Sequence, residues 1–334
     1  MTALPGALSV IVPSLGQSPW QEEMLAALRR ELSGLPAELI WVHQGAAPPP
    51  ELAGARELFL HLPEPVGFAA AANLGLAATD RRSAAIAIMN DDLVVGPGWL
   101  AALAGELERR PRAAAVQGVH LELARPEQVE GCGLEWNRSW QAVQVGAGAP
   151  PPATTAPPFE LFGVSATAAL YRRTALAEVG GSGASGASEA SGAPDTFFFD
   201  ERLGSYYEDV ELAVRLREAE WESWCVPAAR ARHAGQATAG RAPLWRWRSI
   251  HRNRLLVLRR LLGSRFAAAL PGIAARDGRD LLRAGLRLDG ARVFGIVAGW
   301  AAAAPRLAAF GAPSAAASAR ALAAAARFRI GSTA

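Results

Sequence analysis

The chain has 334 residues, enough for one large domain or two modest ones with a substantial core, and 51% hydrophobic against 19% charged residues excludes wholesale disorder. Alanine supplies much of the apolar share, so composition does not imply a membrane-embedded protein; two cysteines, Cys132 and Cys225, exclude a disulfide scaffold or a multi-cysteine metal centre. All 34 basic residues are arginine, and the net charge of +3 hides an asymmetry: residues 1–225 carry 15 arginines against 28 acidic groups (net −13), residues 226–334 carry 19 against three (net +16).

No basic stretch followed by an apolar run opens the sequence, so no secretory leader is expected. Leu8–Val12 is a short apolar run ended by Pro13 and predicts a buried strand. Trp20, Met24, Leu28 and Leu32 recur every four residues and put one apolar stripe on a helix. Leu39–Val42, Leu58–Leu62 and Ala84–Met89 predict three more strands, with an alanine-rich helix over Phe68–Ala78. Leu100, Leu103 and Leu107 mark a further helix. Strands alternating with helices predict an α/β fold whose mostly parallel sheet is covered on both faces. In such sheets ligands sit beyond the carboxyl ends of the strands, where Asn90-Asp91-Asp92 falls.

Residues 146–158 and 181–196 read as loops, the second a flexible glycine–serine insertion. Gly181, Gly183 and Gly186 formally match a dinucleotide fingerprint, but no strand precedes them and no apolar helix follows, so a linker is the reading. Tyr206 to Trp221 predicts a helix with Leu212, Leu216 and Ala219 on one face. Residues 241–334 predict a basic, Arg/Ala-rich helical extension. Its most apolar stretch, Val293–Ala304, has 12 residues, short of the about 20 that span a bilayer.

Asn90, Asp91 and Asp92 offer clustered hard oxygen ligands for Mg²⁺ or Mn²⁺, or else a turn and helix cap. Asp209 near a helix start is either an acidic first-turn residue or a general base. His233 shows no ligand-like spacing with the other four histidines. Trp245-Arg246-Trp247-Arg248 alternates aromatic and cationic groups, which suits base stacking, a lipid headgroup layer, or a mixed helix face.

Their order carries more than any one of them. Val10-Ile11-Val12-Pro13, Val66-Gly67-Phe68-Ala69 leading to Asn73, Met89-Asn90-Asp91-Asp92 with Gly96-Pro97-Gly98, the run Gly163–Gly181, Phe199-Asp200-Glu201-Arg202 and YYEDVELAVRLR from Tyr206 to Arg217 stand in sequence. This series resembles the family 2 inverting glycosyltransferases, which have a GT-A fold, over about residues 7–260. It is most similar to the rhamnosyltransferase-like branch, whose members often end in Arg/Ala/Leu-rich helices. The resemblance implies a GT-A domain over residues 1–240, Asp209 as catalytic base, and Asn90, Asp92 and His233 as ligands of a divalent metal. It implies substrate contacts from Pro13, Asn73, Glu208, Arg252 and Asn253. One position departs: where the family usually has an Asp after the second strand, Val42 is followed by His43-Gln44-Gly45, and His43 is expected to bond the nucleotide base.

The expectation is a metal-dependent transferase moving a sugar, with inversion, from a nucleotide-diphosphate donor to a lipid-linked or polysaccharide hydroxyl acceptor of the cell envelope. The basic extension places it in the cytoplasm, peripheral at an anionic inner membrane face. A non-catalytic sugar-nucleotide-binding relative is the nearest alternative. A nucleic-acid-binding protein is the alternative from another class, but it rests on basic charge alone, with no recognised module, so no nucleic acid is expected.

Overall fold

A computed structural model of the chain describes residues 7–46, 50–52, 54, 56–180, 198–235, 243–311 and 314–329. The expected insertion at 181–196, its glycine fingerprint and the expected boundary near residue 240 lie outside the described residues.

The front half alternates as its periodicity predicts. Strand β1 (Ala7–Ser14) leads to helix α1 (Gln21–Leu32), β2 (Ala37–Gln44), β3 (Glu57–Leu62), α2 (Phe68–Ala77) and β4 (Ser83–Met89). β1 pairs in parallel with β2 and β4, and β2 with β3. Pro13 does not end β1. Pairing with β4 stops at Ile11 while pairing with β2 continues to Ser14, so the proline sits where the strand has a neighbour on one side only. α2 lies close against the sheet, and a Cβ on Gly75 would stand 2.4 Å from Ile11 Cγ2. Apolar residues fill both sheet faces: Ile11, Ile40 and Ile88 share a core with α2, and Val10 and Val12 share the opposite one with Met24 and Leu28 of α1.

Beyond β4 come β5 (Leu93–Val95), α3 (Trp99–Arg109), β6 (Ala113–Glu122), β7 (Val129–Gly131), β8 (Leu134–Trp136), β9 (Ala142–Gln144) and β10 (Phe159–Leu161). Then follow β11 (Ala168–Arg172), α4 (Arg173–Val179), α5 (Glu208–Glu218) and β12 (Glu222–His233). The main sheet runs β10-β12-β6-β11-β4-β1-β2-β3, with β5 attached to β12 and β7 to β6. β11 is antiparallel to both neighbours, whereas β12 runs parallel to β6. The result is a mostly parallel, mixed sheet flanked by helices. Connections diverge between β1 and β4, which makes their carboxyl ends the switch point where such folds bind ligands.

The arginine-rich region is helical: α6 (Pro243–Leu262), α7 (Phe266–Leu286), α8 (Gly290–Ala303) and α9 (Ala315–Arg327), with 3₁₀ turns at Gly263–Arg265 and Ala304–Ala309. Leu255, Leu256, Leu258 and Leu261 of α6 share one core with Val210 and Val214 of α5, Phe162, and Ala321 and Ala325 of α9. Gly295 and Gly299 let α8 lie directly on α6, since a Cβ there would meet Trp247 Cβ at 2.3 Å and His251 Cβ at 2.7 Å. A polar knot joins the three helices. Buried Asp277 of α7 accepts from Arg254 Nη2 at 2.5 Å and Trp300 Nε1 at 2.8 Å, and lies 3.4 Å from His251 Nδ1. Burial alone would raise its carboxyl, but His251 and Arg254 reverse that and hold it at about 2. Asp277→Ala strands a buried guanidinium, and chemical denaturation is expected to register a loss of about 3–5 kcal/mol. The stabilisation from this depressed carboxyl is present above its unfolded value near 3.8 and is lost as pH falls towards 2.

Candidate active site at the carboxyl ends of the sheet

The loop after β4 divides its acids between two duties. Asp91 turns inward: its Oδ2 accepts from Ser14 Oγ at 2.5 Å and Gln21 Nε2 at 3.1 Å, tying the end of β1 to the start of α1. Burial raises its carboxyl, against the lowering effect of the Ser14 bond. Asp92 turns the other way, towards β12. Register Leu93↔His233 between β5 and β12, closed by Ala234 N donating to Asp92 O at 3.0 Å, sets His233 against Asp92. His233 Nε2 lies 2.9 Å from Asp92 Oδ1, and its Nδ1 lies 2.7 Å from both oxygens of Glu130 on β7. Burial lowers the pKa of this imidazole, but the bonds to Asp92 and Glu130 outweigh it and carry the value to about 10.

Asp209 approaches the same edge from the first turn of α5. The helix does not begin at Tyr206 as the sequence suggests. Tyr206 and Tyr207 both hold positive φ, 69° and 68°, and α5 starts only at Glu208. Two non-glycine residues in that region cost of order 1–3 kcal/mol each, so the surroundings must hold them. Asn253 of α6 does so: its Nδ2 donates to Leu203 O, Ser205 O and Tyr206 O at 2.9, 3.0 and 2.6 Å. Arg252 Nη2 adds a bond to Leu203 O at 2.6 Å. The helix itself is pinned by Arg215 to Phe198 O at 2.6 Å, by Arg217 to Phe162 O at 3.0 Å and by Arg260 of α6 to Glu218 at 3.0 Å. Asn253→Ala removes all three bonds to the loop. Denaturation should show a loss of about 1–3 kcal/mol, and turnover should fall more than nucleotide affinity, because the misplaced group is Asp209.

Glu208 and Asp209 stand side by side, and both carboxyls are raised, chiefly by burial. They are not equivalent. Asp209 Oδ2 accepts from Ala166 N at 3.3 Å and Oδ1 from Val210 N at 2.8 Å, whereas buried Glu208 Oε2 has no hydrogen-bond partner. Hydrogen bonds to an ionised carboxylate favour that form, so the negative charge settles on Asp209 and the proton on Glu208.

The link between the two motifs is short. Asn90 N donates to Thr167 O at 2.9 Å, and Asp209 is bonded to Ala166, the residue before. Ser165 Oγ lies 3.0 Å from Thr167 Oγ1, and Ser165 N donates to Gln117 Oε1 at 2.6 Å. Segment 165–167 thus fixes the end of β4 and the start of α5 against each other.

Other expected site residues lie further off or are otherwise engaged. Pro13 is buried in β1. His43 is buried near the end of β2, 5.8 Å from the Phe59 ring and 5.7 Å from that of His61. Asn73 of α2 spends its amide on the chain beyond α4: Oδ1 accepts from Phe198 N and Phe199 N at 2.8 and 3.0 Å, and Nδ2 donates to Phe199 O at 2.8 Å. It is a brace for the segment leading into α5. Arg252 is lowered by burial and by the like charges of Arg248 and Arg306, and of the three only Arg252 bonds the loop before Asp209, through Leu203 O, among the described residues. Glu130 and Ser165 were missed by sequence reading. No local signal marks either, since the pairing of β7 with β6 and of β6 with β12 brings Glu130 to His233.

Among the described residues, no group of three or more His, Cys, Asp or Glu side chains is arranged to hold a metal ion. Asp92 and His233 nevertheless make a two-sided donor set, a carboxylate and an imidazole, and the side chain of Asn90 carries no hydrogen bond among the described residues. Magnesium-type sites that also bind substrate phosphates need only one or two protein ligands, and a carboxylate behind the far nitrogen of a ligating histidine is the usual support. The residues present fit that pattern once a cation takes the place of the proton held between His233 Nε2 and Asp92.

Comparison with known proteins gives a consistent picture. The family model described as Glycosyl transferase family 2 matches residues 9–180. Two Mycobacterium tuberculosis proteins named N-acetylglucosaminyl-diphospho-decaprenol L-rhamnosyltransferase are each 29% identical over 195 residues, covering 52% of this chain and 54% of theirs. The chain therefore spans about half the length of these relatives. Among solved structures, GalNAc-T7 with UDP, GalNAc and Mn²⁺ aligns over 76% of this chain and 47% of its own, with TM-score 0.54 and 12% identity. S. aureus TarS 1-349 aligns over 96% of this chain and 89% of its own, with TM-score 0.51 and 13% identity. These two likenesses establish the GT-A fold.

Proposed function

The chain belongs to glycosyl transferase family 2, and from that premise we propose that it transfers a sugar, with inversion, from a nucleotide-diphosphate donor to a hydroxyl of a lipid-linked or envelope-glycan acceptor. The observation that carries the reading is the tie of Asn90 and Asp209 to successive residues, Thr167 and Ala166, at the switch point of the sheet. An acid loop for the donor and a half-buried base for the acceptor stand on one rigid edge.

Each residue takes a role from its surroundings. Asp92 and His233, with Asn90 beside them, would hold a divalent cation against the donor diphosphate. When bound, that cation neutralises charge developing on the leaving nucleoside diphosphate. Glu130 orients the His233 ring through Nδ1. Asp209 takes the proton from the acceptor hydroxyl, whose oxygen attacks the anomeric carbon from the face opposite the leaving group. One displacement inverts the configuration. Glu208, holding its proton, keeps a second negative charge away from the incoming oxygen. The guanidinium of Arg252, held against the loop before the base, supplies positive potential for a diphosphate there. The relatives' name points to a prenyl-diphosphate-linked N-acetylglucosaminyl acceptor and an L-rhamnosyl donor. An acceptor of that kind resides in a membrane, which suits the basic helices α6–α9.

A thermal-shift panel of nucleotide-diphosphate sugars with Mn²⁺ or with chelator tests donor binding. The reading expects stabilisation by one nucleotide class and loss of that stabilisation with chelator. No shift with any donor under either condition contradicts it.

A further inference from the structure

Each of the three acidic residues in the basic extension is consumed within it. Asp277 is locked to Arg254, Asp280 pairs with Arg276 at 3.0 Å, and Asp289 caps α8 by accepting from Arg292 N at 3.0 Å. The surplus arginines are left on the outside. Around the α7–α8 joint, Arg276, Arg283, Arg287 and Arg292 line a recess of about 500 Å³, whose only acids are Asp280 and Asp289. Arg279 and Arg287 have no acidic partner among the described residues.

The same joint exposes apolar side chains that a water-facing surface would not select. Leu286 is 78% exposed, Leu288 92% and Phe294 68%, with Leu282 and Val297 also mostly exposed. This exposure follows from the packing. α8 is fixed to α6 through Gly295 and Gly299, which turns Phe294 and Val297 outward. α7 buries Ile273, Asp277 and Ala284, which turns Leu282 and Leu286 outward. Leu288 itself holds a positive φ of 55° in the turn between the helices. Five large apolar groups within sixteen residues, flanked by arginines, form a patch of the kind that marks an interaction surface.

We propose that the α7–α8 joint is the membrane-docking surface of this protein. Its arginines meet the headgroups of an anionic phospholipid layer, and Leu282, Leu286, Leu288, Phe294 and Val297 enter the acyl boundary. This rests on the reading that the enzyme works on a membrane-borne acceptor, and names where contact is made. Charge complementarity decides the occupant: a cationic recess rimmed by exposed leucines matches phosphate groups above hydrocarbon.

The test uses the full chain and sedimentation with vesicles of phosphatidylglycerol and phosphatidylcholine, against phosphatidylcholine alone. Point variants are preferred to truncation, because removing α7–α9 would uncover the core shared with α5. The wild type should pellet with the anionic vesicles, less so as salt rises, and little with the neutral ones. Leu286→Glu with Phe294→Glu, and separately Arg283→Glu with Arg287→Glu, should each lower partition at least tenfold while circular dichroism and nucleotide binding stay unchanged. Wild-type binding that both variants retain overturns the docking surface but leaves the membrane reading standing. Absence of wild-type binding to either vesicle overturns both. If the leucine and phenylalanine changes convert a dimer to a monomer without touching vesicle binding, the patch is a contact between copies and the proposal fails.

Discussion

Asp209→Asn is expected to lower turnover by roughly two to four decades, the scale on which a positioned general base acts, with donor and metal binding close to wild type. The substitution keeps the shape of the side chain and one of its two accepting oxygens, enough for the shorter bond from Val210 N, and the remaining ties of α5 through Arg215, Arg217 and Arg260 should hold it in place. What disappears is the ability to take the acceptor proton. pH dependence gives an independent reading. Both carboxyls of the Glu208–Asp209 pair are raised by burial, so the acid limb of kcat/KM should lie above the ordinary aspartate value of 3.8, with activity rising as Asp209 ionises. The effect on stability has the opposite sign. A raised carboxyl binds its proton more tightly in the folded state, so this pair favours folding at low pH and the advantage is lost as pH rises through the folded values. Steady-state kinetics of the purified variant settles the role, because near-normal turnover would remove Asp209 from it.

The second large effect is expected at Asp92. Asp92→Ala should weaken donor binding on the order of 10²-fold when Mn²⁺ is present, and hardly at all with chelator, since the carboxylate acts on the diphosphate through the cation. Glu130→Gln leaves His233 in place but removes the charge behind Nδ1. A loss of about 10- to 100-fold in metal affinity is the scale for such supporting groups. Calorimetry with Mn²⁺ alone and with donor separates the two. Equal donor affinity of the wild type with metal and with chelator would contradict the assignment of both residues.

Sequence reading located the elements whose apolar pattern is strong. β1 and β2 carry runs of Val, Ile and Leu, β4 sets Ile86, Ile88 and Met89 among its alanines, and α1 shows its stripe at every fourth residue. It missed the centre of the sheet. β6 begins Ala-Ala-Ala-Val and β11 is Ala-Ala-Leu-Tyr-Arg, and alanine carries no strand signal of its own. Those strands form because their neighbours bury them. β12, whose apolar residues cluster at Trp224–Val226, was not read as a strand, although it runs 12 residues to His233. For the site, the sequence supplied the acids after β4 and the YYED start of α5, and their resemblance to a family supplied roles. Local pattern held nothing about the left-handed tyrosines that delay α5, about Asn253 holding them, or about Glu130 behind His233. Those depend on α6 crossing the loop at 203–206 and on β7 reaching β6, contacts between segments 45 or more residues apart in the first case and joined through the sheet in the second.

The central claim is transfer from a nucleotide-diphosphate donor with inversion at the anomeric carbon, driven by Asp209. Proton NMR of the product formed from a prenyl-diphosphate-linked N-acetylglucosamine acceptor and a panel of nucleotide-diphosphate sugars tests it directly. The account predicts release of nucleoside diphosphate and a product whose anomeric configuration is opposite to that of the donor, with Asp209→Asn giving almost none. A product that retains the donor configuration, or equal product from the Asp209→Asn enzyme, would contradict it.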